Sequence, residues 1–178
     1  MAITPEQREA RRKHIGSSDS AAIMGACPWS DAYDVYVSKV LGESKKQTQA
    51  MAYGDLLEDA CLRYFERKHN LTLAREVMRV HDGGIFAANF DGINDDLKII
   101  VEAKWCAEER PDTPDDQRWG RAGSSHIPRR TLIQVQHQML IAGPEYQTAH
   151  AVVMRGWNGL AFGRSEEHTS ELQSRQYL

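Results

Sequence analysis

The stretch FDGINDDLKIIVEAKW, residues 90–105, decides the fold. It reads as a turn followed by a buried strand, yet that strand carries a glutamate and a lysine two positions apart. Strand side chains alternate between faces, so Leu97, Ile99, Val101, Ala103 and Trp105 share one face and Lys98, Ile100, Glu102 and Lys104 the other. Upstream, Asp91 precedes Gly92, and Gly92, Asn94, Asp95 and Asp96 supply turn chemistry that folds the chain back as a hairpin. Such a hairpin brings an aspartate beside Glu102 and Lys104.

Outward from this hairpin the periodicity alternates between helix and strand. A first helix is predicted over Pro5–His14, and Ser17, Ser18 and Asp19 are N-cap residues for a short apolar helix ending near Gly25. Ser30 caps a further helix whose Tyr33, Val35, Tyr36 and Val40 are expected to pack inward. Leu56, Leu57, Ala60, Cys61, Tyr64 and Phe65 recur at helical spacing and predict a long helix over Met51–His69. Strands follow near Leu73–Val80, Ile85–Phe90 and Leu97–Trp105, then a polar connection over Ala107–Arg130, a helix over Thr131–Ala142 and a strand over Thr148–Met154. A connection of that length inside one domain is expected to be functional or mobile. The alternation implies an α/β fold.

The chain has 178 residues with 41% hydrophobic and 26% charged, which suits one soluble domain with a real core. Its apolar runs are too short to cross a bilayer, and the opening MAITPEQREARRKH lacks the order of a secretory signal, so a cytoplasmic protein is expected. Cys27, Cys61 and Cys106 form no CxxC pair and are read as reduced. A net charge of −3 gives no bulk attraction to nucleic acid, which leaves two local basic groups to provide it: Arg11, Arg12, Lys13 and His14, and Arg118, Arg121, Arg129 and Arg130. Residues 164–178, containing RSEEHTSELQS, have the character of translated sequencing adapter or of a disordered polar tail, so the domain is placed at residues 1–163.

Hydrolysing a phosphodiester requires relief of charge on the scissile phosphate, a hydroxide made from water, and stabilisation of the departing oxyanion. Magnesium does this from a few carboxylate oxygens, water and substrate phosphate. Asp91 and Glu102 supply two carboxylates, the backbone carbonyl of Ala103 a neutral ligand, and Lys104 a cation for the water or the phosphate. The competing reading places Glu102 and Lys104 on a solvated sheet face. Glu58, beside the apolar stripe of the long helix, adds a carboxylate near the core.

Four ordered blocks, IGSSDSAAIMGACPW, YGDLLEDACLRYF, ANFDGI with IIVEAKW, and LIQVQHQMLIAG, resemble the YqaJ-like viral recombinase family, which includes the phage lambda exonuclease type, over most of residues 10–155. That family falls in the PD-(D/E)XK superfamily, whose signature here is Asp91, Glu102 and Lys104, with Phe90 in place of the customary proline. The resemblance implies a mixed central sheet flanked by helices. It also implies a magnesium-dependent enzyme, with manganese as a substitute, that degrades one strand of duplex DNA from its 5′ end in phage or prophage recombination. By that resemblance Asp91 and Glu102 are metal ligands, Lys104 is catalytic, and Glu58 is a further acid near the metal. Gln134 and Gln136 lie about 200° apart around a helix, so only one of them faces the site, and the same resemblance favours Gln136. A 5′-phosphate pocket is expected from Arg11, Arg12, Ser17 and Ser18, using helix N–H groups and a bidentate arginine. A single-strand annealing protein is the implied partner, and a homo-oligomer is implied with its subunit number left open. Two alternatives are an endonuclease of the same superfamily and a DNA-binding or assembly module without effective catalysis.

Overall fold

The computed structural model describes residues 9, 11–43, 47–106, 111–156 and 164–166. In chain order the elements are β1 (Ile15–Gly16), α1 (Ser17–Ile23), α2 (Ala32–Tyr36) running into a π-helical turn (Val37–Leu41), α3 (Gln49–His69), β2 (Ala74–Val80), β3 (Phe86–Asn94), β4 (Ile99–Cys106), a 3-10 turn (Asp115–Gln117), α4 (Arg129–Ala142), β5 (Thr148–Arg155) and β6 (Arg164–Glu166). The sheet is mixed: β2 and β4 run antiparallel to β3, β5 runs parallel to β4, and β6 returns antiparallel along β5. This is the α/β fold, a mixed sheet flanked by helices, that the resemblance implied.

Helix α3 begins at Thr48, whose side chain accepts from the Met51 N–H, and ends at Asn70 in the left-handed conformation. Its Cys61, Leu62 and Phe65 pack on Val101 and Ala103 of β4 and Val152 of β5. Leu56, expected in that stripe, is 74% exposed. On the other face, Val135 and Met139 of α4 pack on Ile100, Phe90 and Ala149. The side chains of β4 thus alternate between two helix layers, as the spacing of residues 97–105 requires.

Several expectations are corrected. Gly92 does not sit in the turn: it is paired inside β3 with Val101 and Arg75, and the hairpin turns at residues 95–98, where the Leu97 N–H donates to Asn94 Oδ1 at 2.8 Å. Helix α1 has Gly16, not a serine, as its cap, and Asp19 reaches back to accept from the Gly16 N–H at 2.7 Å. Asp31 rather than Ser30 caps α2. Tyr33, Tyr36 and Val40 face outward, Tyr33 being 70% exposed, because the short α2 and its π turn put only one narrow side against the fold. Of the predicted first helix, Glu9, Arg11 and Arg12 are helical and the start lies outside the described residues. Arg164–Glu166 pair along β5 as the short strand β6.

The sheet forks beside β3. Strand β2 lines one edge of β3 from Ala87 to Ile93, so β1 and β4 must share the other edge. There β1 pairs only with Phe86 and Ala87, and β4 only with Gly92, Ile93 and Asn94. Among the described residues, 88–91 of β3 are left without a strand partner on that edge. Across from the fork Glu76, in line with Asp91 by register, takes φ +52° and drops out of the β2 ladder.

Candidate active site

Asp91 and Glu102 are the first residues past the last β3–β4 pair, Gly92 with Val101. Where the strands part, the side chain of Asp91 replaces the missing strand, and its Oδ2 accepts from the Ala103 N–H at 2.9 Å. The N–H and C=O of one strand residue project to the same edge, so the Ala103 carbonyl faces the fork as well.

Glu102 is 1% exposed and tightly held. Its Oε1 accepts from the Lys104 ammonium and from Gln134 Nε2 at 2.6 Å, and its Oε2 accepts from Gln138 Nε2 at 2.5 Å. Gln134 and Gln138 are four apart on α4 and therefore on one face. Gln136, the glutamine favoured from the resemblance, is not among these partners, because about 200° of helix separates it from Gln134. The sequence signal for the pair that bonds Glu102 was the Gln134–Gln138 spacing alongside Val135 and Met139.

The electrostatics tie these groups together. Burial lifts Asp91 well above the usual carboxylate range, the charges of Glu102 and Glu58 lift it further, and Lys104 and the Ala103 N–H hold it back. Glu58, half-buried on α3, is raised first by burial and then by Glu102. Burial works against the Lys104 charge, but the carboxylates of Glu102 and Asp91 outweigh it and raise its pKa. Cys61 lies beneath the same group, and burial together with Glu58 and Asp91 pushes its thiol up to about 11. Glu58, Asp91, Glu102 and Lys104, four of the residues singled out in the sequence, thus converge with the Ala103 backbone at one fork.

The residues suit a hard divalent ion in chemistry. Three carboxylates stand against one ammonium, all ligating atoms are oxygen, and the Glu102 charge raises the pKa of both Asp91 and Glu58. Among the described residues no three His, Cys, Asp or Glu side chains form a ready-made cage. Magnesium does not need one, since it keeps several waters and shares substrate phosphate.

The basic block approaches from β1. With its amide oxygen turned toward Arg11, Asn89 of β3 accepts from Arg11 Nε at 2.7 Å and Nη2 at 3.0 Å. Asn89 was not anticipated from sequence. Lys39 fastens this region, donating to the Arg11 carbonyl at 2.8 Å and pairing with Asp19 at 2.7 Å. Arg12 lies apart, near Glu9 at 3.8 Å and over Gly42. Ser18 is exposed, whereas Ser17 is buried in the first turn of α1, so of the two serines Ser18 is the one open to a ligand from solvent. His137 on α4 donates from Nε2 to the Ala87 carbonyl at 3.1 Å, which leaves Nδ1 to accept from Ser20 at 2.6 Å and ties α1 to α4.

No helix among the described residues is long and apolar enough to cross a membrane. The fold is similar to that of the alkaline exonuclease LHK-Exo from Laribacter hongkongensis, 18% identical, covering 97% of this chain and 86% of that one with a TM-score of 0.68. It is also similar to a phage-related exonuclease from Haemophilus somnus 129PT, 13% identical, covering 80% and 68% with a TM-score of 0.53. In sequence it is 30% identical over 152 residues to the uncharacterized protein YqaJ of Bacillus subtilis (strain 168), covering 83% of this chain and 45% of that relative, so it spans about half the relative's length. A family model described as the YqaJ-like viral recombinase domain matches residues 7–145. The chain belongs to the YqaJ-like viral recombinase family.

Proposed function

We propose that this chain is a metal-dependent DNA exonuclease that degrades one strand of linear duplex DNA from its 5′ end, in phage or prophage recombination. The observation that carries the reading is the meeting of Asp91, Glu102 and Lys104 where β3 leaves β4. The names of the similar solved structures, both exonucleases, agree with it. Asp91, Glu102 and the Ala103 carbonyl would hold magnesium or manganese, with Glu58 as a further acid. Bound there, such an ion offsets charge on the scissile phosphate and makes water acidic enough to supply hydroxide near neutral pH.

The chain's own groups do the rest. Lys104 keeps its proton in the presence of two carboxylates and so brings a positive charge to the phosphate or orients the water. Glu102, fixed by two amides, does not need to reorganise during the reaction. Arg11 stands beside the fork through Asn89 and, with Ser18, is the pair assigned to a 5′-phosphate.

The test is degradation of linear duplexes with 5′-phosphate or 5′-hydroxyl ends, with magnesium or EDTA, by wild type, Lys104→Ala and Arg11→Ala. Wild type is expected to degrade the phosphorylated duplex with magnesium only, Lys104→Ala to lose about 10²–10³-fold in rate as for other removed charge stabilisers, and Arg11→Ala to lose the preference for phosphate. Equal cutting of a closed circle would replace the exonuclease with an endonuclease.

A further inference from the structure

The fork leaves backbone groups that a regular ladder would pair, and one side chain serves both strands. Gln138 is 0% exposed, and its Nε2 donates to the Asn89 carbonyl of β3 at 3.2 Å and to Glu102 Oε2 of β4 at 2.5 Å. Two acceptors on one nitrogen fix the orientation of the amide. That orientation buries Oε1 with no hydrogen-bond partner among the described residues. A buried oxygen without a donor is destabilising. Leucine or methionine would fill a similar volume between Val135 and Ala142 without that cost. Packing therefore does not account for an amide at this position, whereas its two N–H bonds do.

We infer that Gln138 is a positioning residue that spans the fork, sets the spacing of β3 and β4, and holds Glu102 in a single orientation. A carboxylate offers about four acceptor positions. Lys104 and Gln134 occupy Oε1, so Gln138 decides where the free position on Oε2 points. Its neighbour His137 braces the same strand at the Ala87 carbonyl, so consecutive α4 residues take the place of a strand along this edge. Gln138 acts through Glu102 and touches no substrate. The inference rests on the nuclease reading only where it names the task of Glu102.

Gln138→Leu removes both N–H groups at nearly constant volume. With the full chain shown to be folded by circular dichroism, Mn²⁺ binding is measured by calorimetry and DNA degradation is followed against magnesium concentration. Mn²⁺ affinity is expected to fall about 10–100-fold, the range for losing a group that orients a metal ligand. The magnesium requirement is expected to rise in proportion, and most of the wild-type rate to return at saturating metal. Lys104→Ala should behave oppositely, with its rate low at every metal concentration. A Gln138 that only fills the core would change the melting temperature and leave metal affinity and metal dependence at wild-type values, and that result overturns the inference.

Should the wild-type chain neither bind Mn²⁺ nor degrade DNA, the nuclease reading fails separately, and the side-chain amide of Gln138 decides the geometry. Its protons are expected to be protected from exchange in nitrogen-edited NMR spectra and to shift in Glu102→Gln. Amide protons that exchange freely and ignore Glu102→Gln would refute the bridge.

Discussion

Gly92→Ala is the substitution whose outcome separates two readings of the FDG sequence. If Gly92 served a turn, alanine would strain the backbone, whereas inside β3 its role is to let α3 and the chain after it come close. A methyl at Gly92 would stand 2.8 Å from Leu73 Cδ1, 3.3 Å from Leu73 Cβ and 3.2 Å from Leu62 Cδ2. Ordinary carbon contacts lie near 3.5–4.0 Å, so the Leu73 tip must retreat by about 1 Å. It has little room, since Leu73 and Leu62 are both buried and the Leu73 N–H is tied to Glu66 Oε1 at 2.7 Å. Overpacking of this kind costs about 1–3 kcal/mol, and replacing glycine in a strand returns about 0.5–1 kcal/mol. The net spans about 0–2.5 kcal/mol and centres on about 1 kcal/mol of destabilisation, a fall of about 2–4 °C in Tm for a chain of this size. Urea and thermal unfolding of the variant measure it. Gly84, at φ +72° with open space where a side chain would project, is the control: asparagine should be tolerated there and not at Gly92. A Gly92→Ala protein as stable as wild type would refute the close-packing account.

Three further outcomes follow from the same geometry. Burial and, secondarily, the charge of His69 push His150 down to about 4, so the folded state keeps it neutral and stability present above the unfolded value of 6.5 is lost as pH falls toward 4; the loss is at most about 3 kcal/mol, and His150→Phe, which preserves the ring contact with Phe65, should flatten urea-unfolding stability between pH 7 and 5. Asp91 has the opposite sign: its folded pKa is raised, so the stability it contributes is present at acid pH and lost as pH rises through that value, and Asp91→Asn should unfold at higher temperature than wild type at pH 8 in EDTA while losing DNA degradation. Gln134→Ala should lower the rate of degradation, and Gln136→Ala should leave it near wild type, because only Gln134 of the two bonds Glu102.

The legible part of the fold was whatever depended on period. The alternation in residues 97–105 assigned Val101 and Ala103 to one face and Ile100 and Glu102 to the other, and the structure covers each face with its own helix. The stripe on α3 was legible in Cys61 and Phe65 but misjudged at Leu56, because periodicity places a residue around the axis without showing where the packed partner ends. Gly92 was misread because a DG pair satisfies the chemistry of a turn, and only the tertiary approach of Leu62 and Leu73 shows another use for it. Similarly, three capping residues in a row at Ser17, Ser18 and Asp19 did not reveal that the third would turn back and leave Gly16 as the cap. The chemistry-bearing residues of β3 and β4 were visible as unusual charges on an apolar strand, while Asn89 was not, since an amide signals nothing until its partners are known, and Gln138 was marked only by its four-residue spacing from Gln134.

The two central carboxylates differ in a way that their sequence spacing does not show. Glu102 is deeply buried yet satisfied, receiving one ammonium and two amides. Asp91 receives one backbone N–H and faces the charges of Glu102 and Glu58, with Lys104 offsetting them only in part. A half-buried carboxylate with so few donors is costly to keep ionised. Among the site's acids, Asp91 therefore gains most from a positive charge placed in the fork, while Glu102 supplies the fixed geometry against which that charge is located. The division also explains why the strands separate at this point: continued β3–β4 pairing would give the Ala103 N–H a backbone acceptor and take from Asp91 the donor it uses in the fork. Opening the ladder by one step exchanges a backbone pair for a side-chain pair, and creates the space on which the proposed chemistry depends.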